Sequence, residues 1–350
     1  MSARTIECVA AIASFRLTHS EVLPASISDE EAGLALGILN TNQLEVTGLN
    51  GSGLFLQMAV VEHSCAFNSS FFTHTKGDDV TKLTLTATRR ISAGDFISID
   101  YGNNFYRPTE ERQESLLRTY GFTCWCALCS APDSTRCFRC SMCSNGILYF
   151  NEWKCGDCGA SVGKKEKTLL LREEGKLLNS LSNEIGGLLT TLEDIQELAA
   201  SSKLARQHYS FFWMYSELAL FLNASCCSSS VTRKGKNKQQ KEELRIRRSA
   251  LDAMKSAVAL LDEMLPEVHH ERVIYYDRLG QMAVAAGSTS EAKAAFSRAH
   301  AQSCLIHGRD FHTTIVLASL TSDTPTDLPA LLLRYDSATE DFRERKMSVT

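Results

Sequence analysis

Several things are scarce in this chain, and each scarcity narrows what it does. Positive charge is not in excess: 37 lysines and arginines face 41 aspartates and glutamates, for a formal net charge of −4. No global basic field therefore points to nucleic acid, and direct nucleic-acid binding is not expected. No apolar run reaches the ~18 residues that a membrane span needs. The apolar stretch at residues 8–13 is too short and too weakly flanked by charge to read as a secretion signal. The expectation is a soluble intracellular protein, cytoplasmic or nuclear or both, with no membrane partner. In the N-terminal segment no glycine precedes Gly33, and only Cys8 precedes Cys65. A glycine-rich turn and a four-cysteine finger are both excluded from that stretch.

What the N-terminus lacks in cysteine the middle supplies. Of 13 cysteines, eight fall between residues 124 and 158. Close C-x2-C pairs in an intracellular chain read as metal ligands rather than as a disulfide framework. Cys124, Cys126 and Cys129 have C-x-C-x2-C spacing, three soft ligands and one short of a tetrahedral zinc site. Cys140 and Cys143 form one C-x2-C pair and Cys155 and Cys158 another, as in a zinc ribbon. Cys137 stands in C-x2-C spacing with Cys140 and is an alternative ligand.

The chain divides by pattern. Residues 1–41 read as a helical N-terminal segment, with Ser28-Asp29-Glu30-Glu31 as a helix start. Residues 42–123 read as strands and turns closed by a helix. Leu83, Leu85 and Ala87 alternate with Thr84 and Thr86, a half-buried strand. Ala93-Gly94-Asp95 reads as a turn and residues 96–101 as a second strand. Pro108-Thr109-Glu110-Glu111 opens the helix, with Thr109 as its cap, and Tyr120-Gly121 ends it. Residues 124–160 are the cysteine module, and residues 165–320 are helical. There Leu177, Leu178, Leu181, Ile185, Leu188, Leu189, Leu192 and Ile195 recur at helical spacing. Residues 228–242 read as a solvated basic loop between helices, with a contact to nucleic acid or an acidic partner as the lesser reading, and 321–350 as a tail. Leu279-Gly280, Gly287, Ala292, Phe296 and Ala299 match a tetratricopeptide repeat, so the helical part is expected to stack and to hold a peptide partner or brace a neighbour.

Across about a quarter of the chain, motifs stand in an order that resembles SET-and-MYND-type lysine methyltransferases. Asn42-Gln43-Leu44-Glu45-Val46 resembles the asparagine-bearing strand and Gly51-Ser52-Gly53-Leu54-Phe55 the turn after it. Glu62-His63-Ser64-Cys65 with Asn68 resembles the family's Asn-His-Ser-Cys-x-Pro-Asn. Ile99-Asp100-Tyr101 resembles the strand ending in the catalytic tyrosine. Thr109-Glu110-Glu111-Arg112 and Tyr120-Gly121-Phe122-Thr123-Cys124 resemble the closing helix and the post-SET loop.

The resemblance implies an α+β fold: a SET-type β-fold with a zinc-bound post-SET loop, followed by an all-α tetratricopeptide-like domain. It implies methyl transfer from S-adenosylmethionine to a lysine of a protein substrate, histone or non-histone. In that chemistry a neutral amine attacks in line, so the site must desolvate and align the lysine. Tyr101 and Tyr120 are the catalytic candidates. Asn42, Glu62, His63 and Phe122 are the cofactor-binding candidates, His63 through binding and packing rather than as a base. Cys65 becomes the fourth ligand beside Cys124, Cys126 and Cys129, and Cys140, Cys143, Cys155 and Cys158 hold a second structural zinc. Three departures stand against the family pattern. The Gly-x-Gly cofactor loop and the MYND finger are missing upstream, Glu62 replaces an asparagine, and Phe67 replaces a proline. Glu62 either pairs with the cofactor's ammonium or repels its carboxylate. A catalytically inactive or truncated SET-like scaffold, binding partners through its helical domain, is the alternative expectation.

Overall fold

A computed structural model describes residues 3–19, 21–46, 51–73, 82–102, 105–143, 146–184, 191–227 and 236–335. The chain opens with two helices packed on each other, α1 (Ala3–Thr18) and α2 (Asp29–Asn42). The helix start read at Ser28 is a full capping box. The Ser28 hydroxyl accepts from the Glu31 N–H, and the Glu31 carboxylate accepts from the Ser28 N–H. α2 runs one residue further than the sequence pattern suggested and absorbs Asn42, whose side-chain amide donates to the Ile38 carbonyl at 2.9 Å. The strand begins only after it.

Among the described residues the β-structure consists of short strands paired two by two. β1 (Gln43–Val46) and β2 (Gly51–Leu54) are antiparallel. β3 (Glu62–His63) is followed by β4 (Ser69–Thr73), β5 (Leu83–Ala87) and β6 (Ser98–Ile99). β4 and β5 are antiparallel, whereas β3 and β6 are parallel, with Glu62 opposite Ser98 and His63 opposite Ile99. The strand expected over 96–101 is thus only two residues long. A side chain takes the place of the ladder: Asn68 is buried, its Oδ1 accepts from the Ser98 N–H at 2.9 Å, and its amide donates to the Phe96 carbonyl at 2.8 Å.

Helix α3 (Thr109–Tyr120) follows, and Thr109 does not cap it. Thr109 is the first helical residue, and its N–H donates to Asp133 Oδ2 at 2.8 Å. A carboxylate from the cysteine module satisfies the free donor at the positive end of the helix. Gly121 ends the helix at φ +79°, in the left-handed region. α4 (Ala127–Ser130) is a single turn within the cysteine loop, and β7 (Cys137–Arg139) pairs with β8 (Ile147–Tyr149) in the second half of the module.

The remainder is helical: α5 (Lys164–Glu184), α6 (Leu192–Ser201), α7 (Tyr209–Cys227), α8 (Lys236–Met264), α9 (His270–Ala285), α10 (Thr289–His307) and α11 (His312–Ser322), with helix again over 328–335. From α7 to α11 each helix packs on the next. Leu177, Leu192 and Ile195 are buried as their spacing required, while the side chain of Leu181 and residues Ile185, Leu188 and Leu189 lie outside what is described. The basic segment is shorter than expected. Residues 228–235 lie outside the described residues, and Lys236 already begins α8, whose Lys, Gln, Glu and Arg residues are good helix formers. At the crossing of α9 and α10, Phe296, Ala292 and Ala299 are fully buried. A Cβ on Gly280 would lie 2.4 Å from the Phe296 ring, so only glycine allows this approach.

Aromatic contacts join the strands to the helices. Tyr106 stacks on Phe212 with centroids 4.2 Å apart, Trp213 Nε1 donates to the Tyr106 carbonyl, and Phe72 packs on Phe311. The cysteine module is tied in by charge. Arg136 makes a bidentate pair with buried Glu174, which also accepts from His208 Nε2 at 3.1 Å. Arg139 donates to the Ala199, Ala200 and Leu204 carbonyls, a cation at the C-terminal end of α6. No described helix is long and apolar enough to cross a membrane.

Candidate functional site

The short β3–β6 pair brings two distant segments side by side. His63 comes from β3, Tyr101 follows β6, and α3 with its glycine stop delivers Tyr120 and Phe122 to the same place. The rings form one cluster. Tyr101 and Tyr120 have centroids 5.0 Å apart, His63 and Tyr101 5.3 Å, and His63 and Phe122 5.8 Å. Such tilted and edge-on pairs add to area burial and fix ring orientation. The Tyr120 hydroxyl donates to the Tyr101 carbonyl at 2.7 Å, and the Tyr101 hydroxyl donates to the Val61 carbonyl. Burial, then Tyr120 and Glu62, push the Tyr101 phenol above its ordinary range, so it stays a neutral donor and acceptor.

His63 is the hub. Its Nδ1 accepts from the Tyr101 N–H at 3.1 Å, and its Nε2 lies 3.3 Å from Cys65 Sγ. With Nδ1 occupied as an acceptor, the ring proton sits on Nε2 and faces the sulfur. Burial lowers its pKa against the opposing pull of Asp100. A neutral imidazole locked at both nitrogens holds the tyrosine segment against the cysteine cluster and is not free to act as a base.

Beside this cluster lies an open cavity of about 780 Å³. Tyr101, Phe122 and Trp125 supply aromatic surface, Glu62 and Asp95 negative charge, and Arg89 and Arg90 positive charge. Four of the six tyrosine and cofactor candidates therefore meet: Glu62, His63, Tyr101 and Phe122 line the cavity. Tyr120 stands behind Tyr101, outside the lining. Asn42 is not among the lining residues and bonds within its own helix.

The eight cysteines read as ligands form two groups of four, each with its sulfurs within 4.8 Å of one another: Cys65, Cys124, Cys126 and Cys129, and Cys140, Cys143, Cys155 and Cys158. Zinc–sulfur bonds of about 2.3 Å in a tetrahedron put sulfurs about 3.8 Å apart. Cys129 and Cys65 are 3.5 Å apart, and the pairs Cys140–Cys158 and Cys143–Cys155 are each 3.7 Å apart. In the first group, hydrogen bonds from Cys129 and then Cys65 hold Cys126 far below the ordinary thiol range, while Cys65 is pushed up. The second group closes around Gly146, where a Cβ would sit 2.4 Å from the sulfurs of both Cys143 and Cys155. Both donor sets fit zinc. Cys137, the alternative ligand, is a buried thiol whose sulfur faces the Ser134 carbonyl at 3.3 Å. α3 carries the first group's loop: Leu116 is fully buried against Cys124 and Cys129, and Gln113 donates to the Cys124 carbonyl at 2.8 Å.

Sequence reasoning did not single out Arg89, Arg90, Asp95 or Trp125 as lining residues. Cys124-Trp125-Cys126 carried a usable signal, since a large aromatic held between two ligands has no room to bury itself, and Trp125 is 75% exposed. The paired arginines had no such mark.

Known proteins resemble part of this chain. The histone-lysine N-methyltransferase set5 of Schizosaccharomyces pombe is 33% identical over 101 residues, 29% of this chain and 30% of that protein. The N-lysine methyltransferase SMYD2-A of Xenopus laevis is 38% identical over 83 residues, 24% of this chain and 18% of that protein. The matched stretch thus spans less than a third of either relative. No protein-family profile matches the chain. These similarities support a SET-type methyltransferase in general and do not single out the SET-and-MYND type.

Proposed function

We propose that the chain is a SET-family protein-lysine N-methyltransferase that uses S-adenosylmethionine and carries two structural zinc ions. The observation that supports this most is the convergence of Tyr101, Tyr120, His63 and Phe122 on one aromatic cluster beside the cavity. The lining chemistry fits the cofactor: Arg89 and Arg90 suit a carboxylate, Glu62 and Asp95 an ammonium or sulfonium, and Phe122 and Trp125 a flat base. Bound S-adenosylmethionine supplies an electrophilic methyl group. The chain's own residues do the rest. Tyr101, held as a neutral phenol, orients a deprotonated lysine amine through its hydroxyl oxygen. Tyr120 braces Tyr101 through its carbonyl and ring. Phe122 and Tyr101 exclude water and so favour the uncharged amine. The first zinc group holds the loop that carries Phe122.

The substrate is a protein lysine, histone or non-histone, and the helical domain is tetratricopeptide-like and takes a peptide partner. In the test, Tyr101→Phe lowers methyl transfer from labelled S-adenosylmethionine to a histone mixture or cell extract by at least about tenfold, with the chain folded. Equal activity in Tyr101→Phe overturns Tyr101 as the catalytic residue. One observation favours a second reading, a catalytically inactive SET-like scaffold: the amide of Asn42 is engaged inside α2 rather than in the cavity.

A further inference from the structure

The two cysteine groups have the same composition but different electrostatic surroundings. In the second, Cys158 is exposed and the sulfurs accept from backbone N–H groups, Met142 to Cys140 at 3.3 Å and Cys158 to Cys155 at 3.5 Å. Among the described residues, no lysine or arginine donates to any of its sulfurs. Each group has two buried cysteines, Cys124 and Cys129 (4% and 6% exposed) in the first and Cys140 and Cys155 (9% and 1%) in the second. Against the first lies a cation, Arg112 of α3, itself 4% exposed.

The guanidinium of Arg112 is oddly placed for a buried charge. Nη1 donates to the Arg107 carbonyl, and Nη2 donates to Thr109 Oγ1 at 3.0 Å and to Cys129 Sγ at 3.6 Å. Nε is buried with no partner at all. Its acceptors are thus a carbonyl, a hydroxyl and a cysteine sulfur. The cysteine sulfurs Cys129 and Cys65 act on this charge first and the Asp133 carboxylate, at longer range, last; a buried guanidinium whose bonded oxygens are all neutral is costly. Four thiolates around a divalent zinc carry a net charge of −2, and burying that group alone is costly too. Each deficit offsets the other when the two lie side by side.

We propose that Arg112 is the counter-charge of the first zinc group. It holds that zinc and shields its thiolates, and the second group, which lacks a buried cation, is the one that exchanges its metal. The role is one of positioning, exerted through Cys129 and Cys65. It stands or falls separately from methyl transfer, because it rests on the cysteine groups alone. The functional consequence is a division of labour: the zinc behind the tyrosine cluster is fixed, and the ribbon zinc responds to chelators and oxidants.

The test uses the full chain carrying two zinc ions. Zinc release to a chromogenic chelator is followed together with site-resolved cysteine alkylation, read by mass spectrometry. In the unmodified chain, Cys140, Cys143, Cys155 and Cys158 are modified first and Cys65, Cys124, Cys126 and Cys129 much later. Arg112→Gln speeds loss from the first group by roughly 10–100-fold, the usual size of an outer-shell effect on metal affinity, and leaves the second group's rate unchanged. Arg112→Lys, which keeps the charge but not the fork, falls between. The proposal is overturned if a folded Arg112→Gln chain releases its first zinc at the unmodified rate, or if Arg112→Lys is as fast as Arg112→Gln. Should Arg112→Gln fail to fold, the unmodified chain decides, because loss of the first zinc before or with the second overturns the proposal.

Discussion

A single methyl group at Gly146 should empty the second zinc site. A Cβ there would lie 2.4 Å from Cys143 Sγ, 2.4 Å from Cys155 Sγ and 3.3 Å from Cys140 Cβ. The two sulfur contacts fall more than ~1 Å inside ordinary van der Waals separation, and a packed group has no soft response to that. These contacts make the effect steric and local to the sulfurs. Splaying two of four ligands removes the tetrahedron, and in zinc-finger peptides a structural zinc contributes on the order of 10–16 kcal/mol to folding. Gly146→Ala should drop zinc content from two ions per chain to one and expose Cys140, Cys143, Cys155 and Cys158 to alkylation, with the first group still protected. Gly163→Ala is the control within the same part of the chain: nothing lies within 4 Å of its Cβ, so it should leave the zinc content at two ions per chain. A Gly146→Ala chain that keeps two zinc ions and an unchanged melting temperature would refute the reasoning.

Other consequences follow from the same geometry. Gly280→Ala pushes a Cβ to 2.4 Å from the Phe296 ring and should cost about 1–3 kcal/mol by overpacking, read by urea denaturation. Phe296→Leu in the same chain should recover part of that loss, and no recovery would place the strain elsewhere. Acid should loosen the joint between the cysteine module and the helices. Burial holds His208 below its ordinary value of 6.5 despite Glu174. The unfolded chain therefore takes up that proton first, and stability falls as pH drops below 6.5. Glu174 is pushed up by burial, but hydrogen bonds from His208 and Arg136 outweigh this and leave it below its ordinary 4.5. Its contribution is present above 4.5 and is lost as pH falls through the folded value. Melting temperature should decline from neutral to acid pH, and Glu174→Gln should remove the lowest-pH part of that decline. A flat profile would contradict the linkage.

Much of the site was legible in the sequence because its residues sit in short local patterns. The spacing of Cys124, Cys126 and Cys129 and of the two C-x2-C pairs already describes loops tight enough to converge, and the sulfurs do converge. The Ser28 start was legible for the same reason, since a capping box is complete within four residues. What was not legible depended on partners distant in sequence. Thr109 looked like a cap until Asp133, 24 residues away, took its N–H. Residues 96–101 looked like a full strand, but Asn68, from a different segment, takes the bonds a ladder would have made. Asn42 read as strand because the residues after it do. The helix that starts at Ser28, well upstream, runs on through Asn42, and the Gln43 N–H still donates to the Leu39 carbonyl. Arg112 was visible only as part of a motif, and no local pattern shows that a guanidinium lies 3.6 Å from a ligand sulfur.

The most direct test of the central claim is calorimetric titration of S-adenosylmethionine into folded chain with two zinc ions confirmed on the same sample. The cavity lined by Glu62, His63, Tyr101, Phe122 and the paired arginines predicts one site of micromolar affinity, about −8 kcal/mol. That site should weaken when Phe122 is replaced by alanine. No heat and no competition by S-adenosylhomocysteine from a folded, zinc-replete chain would contradict the methyltransferase reading and leave the scaffold in its place.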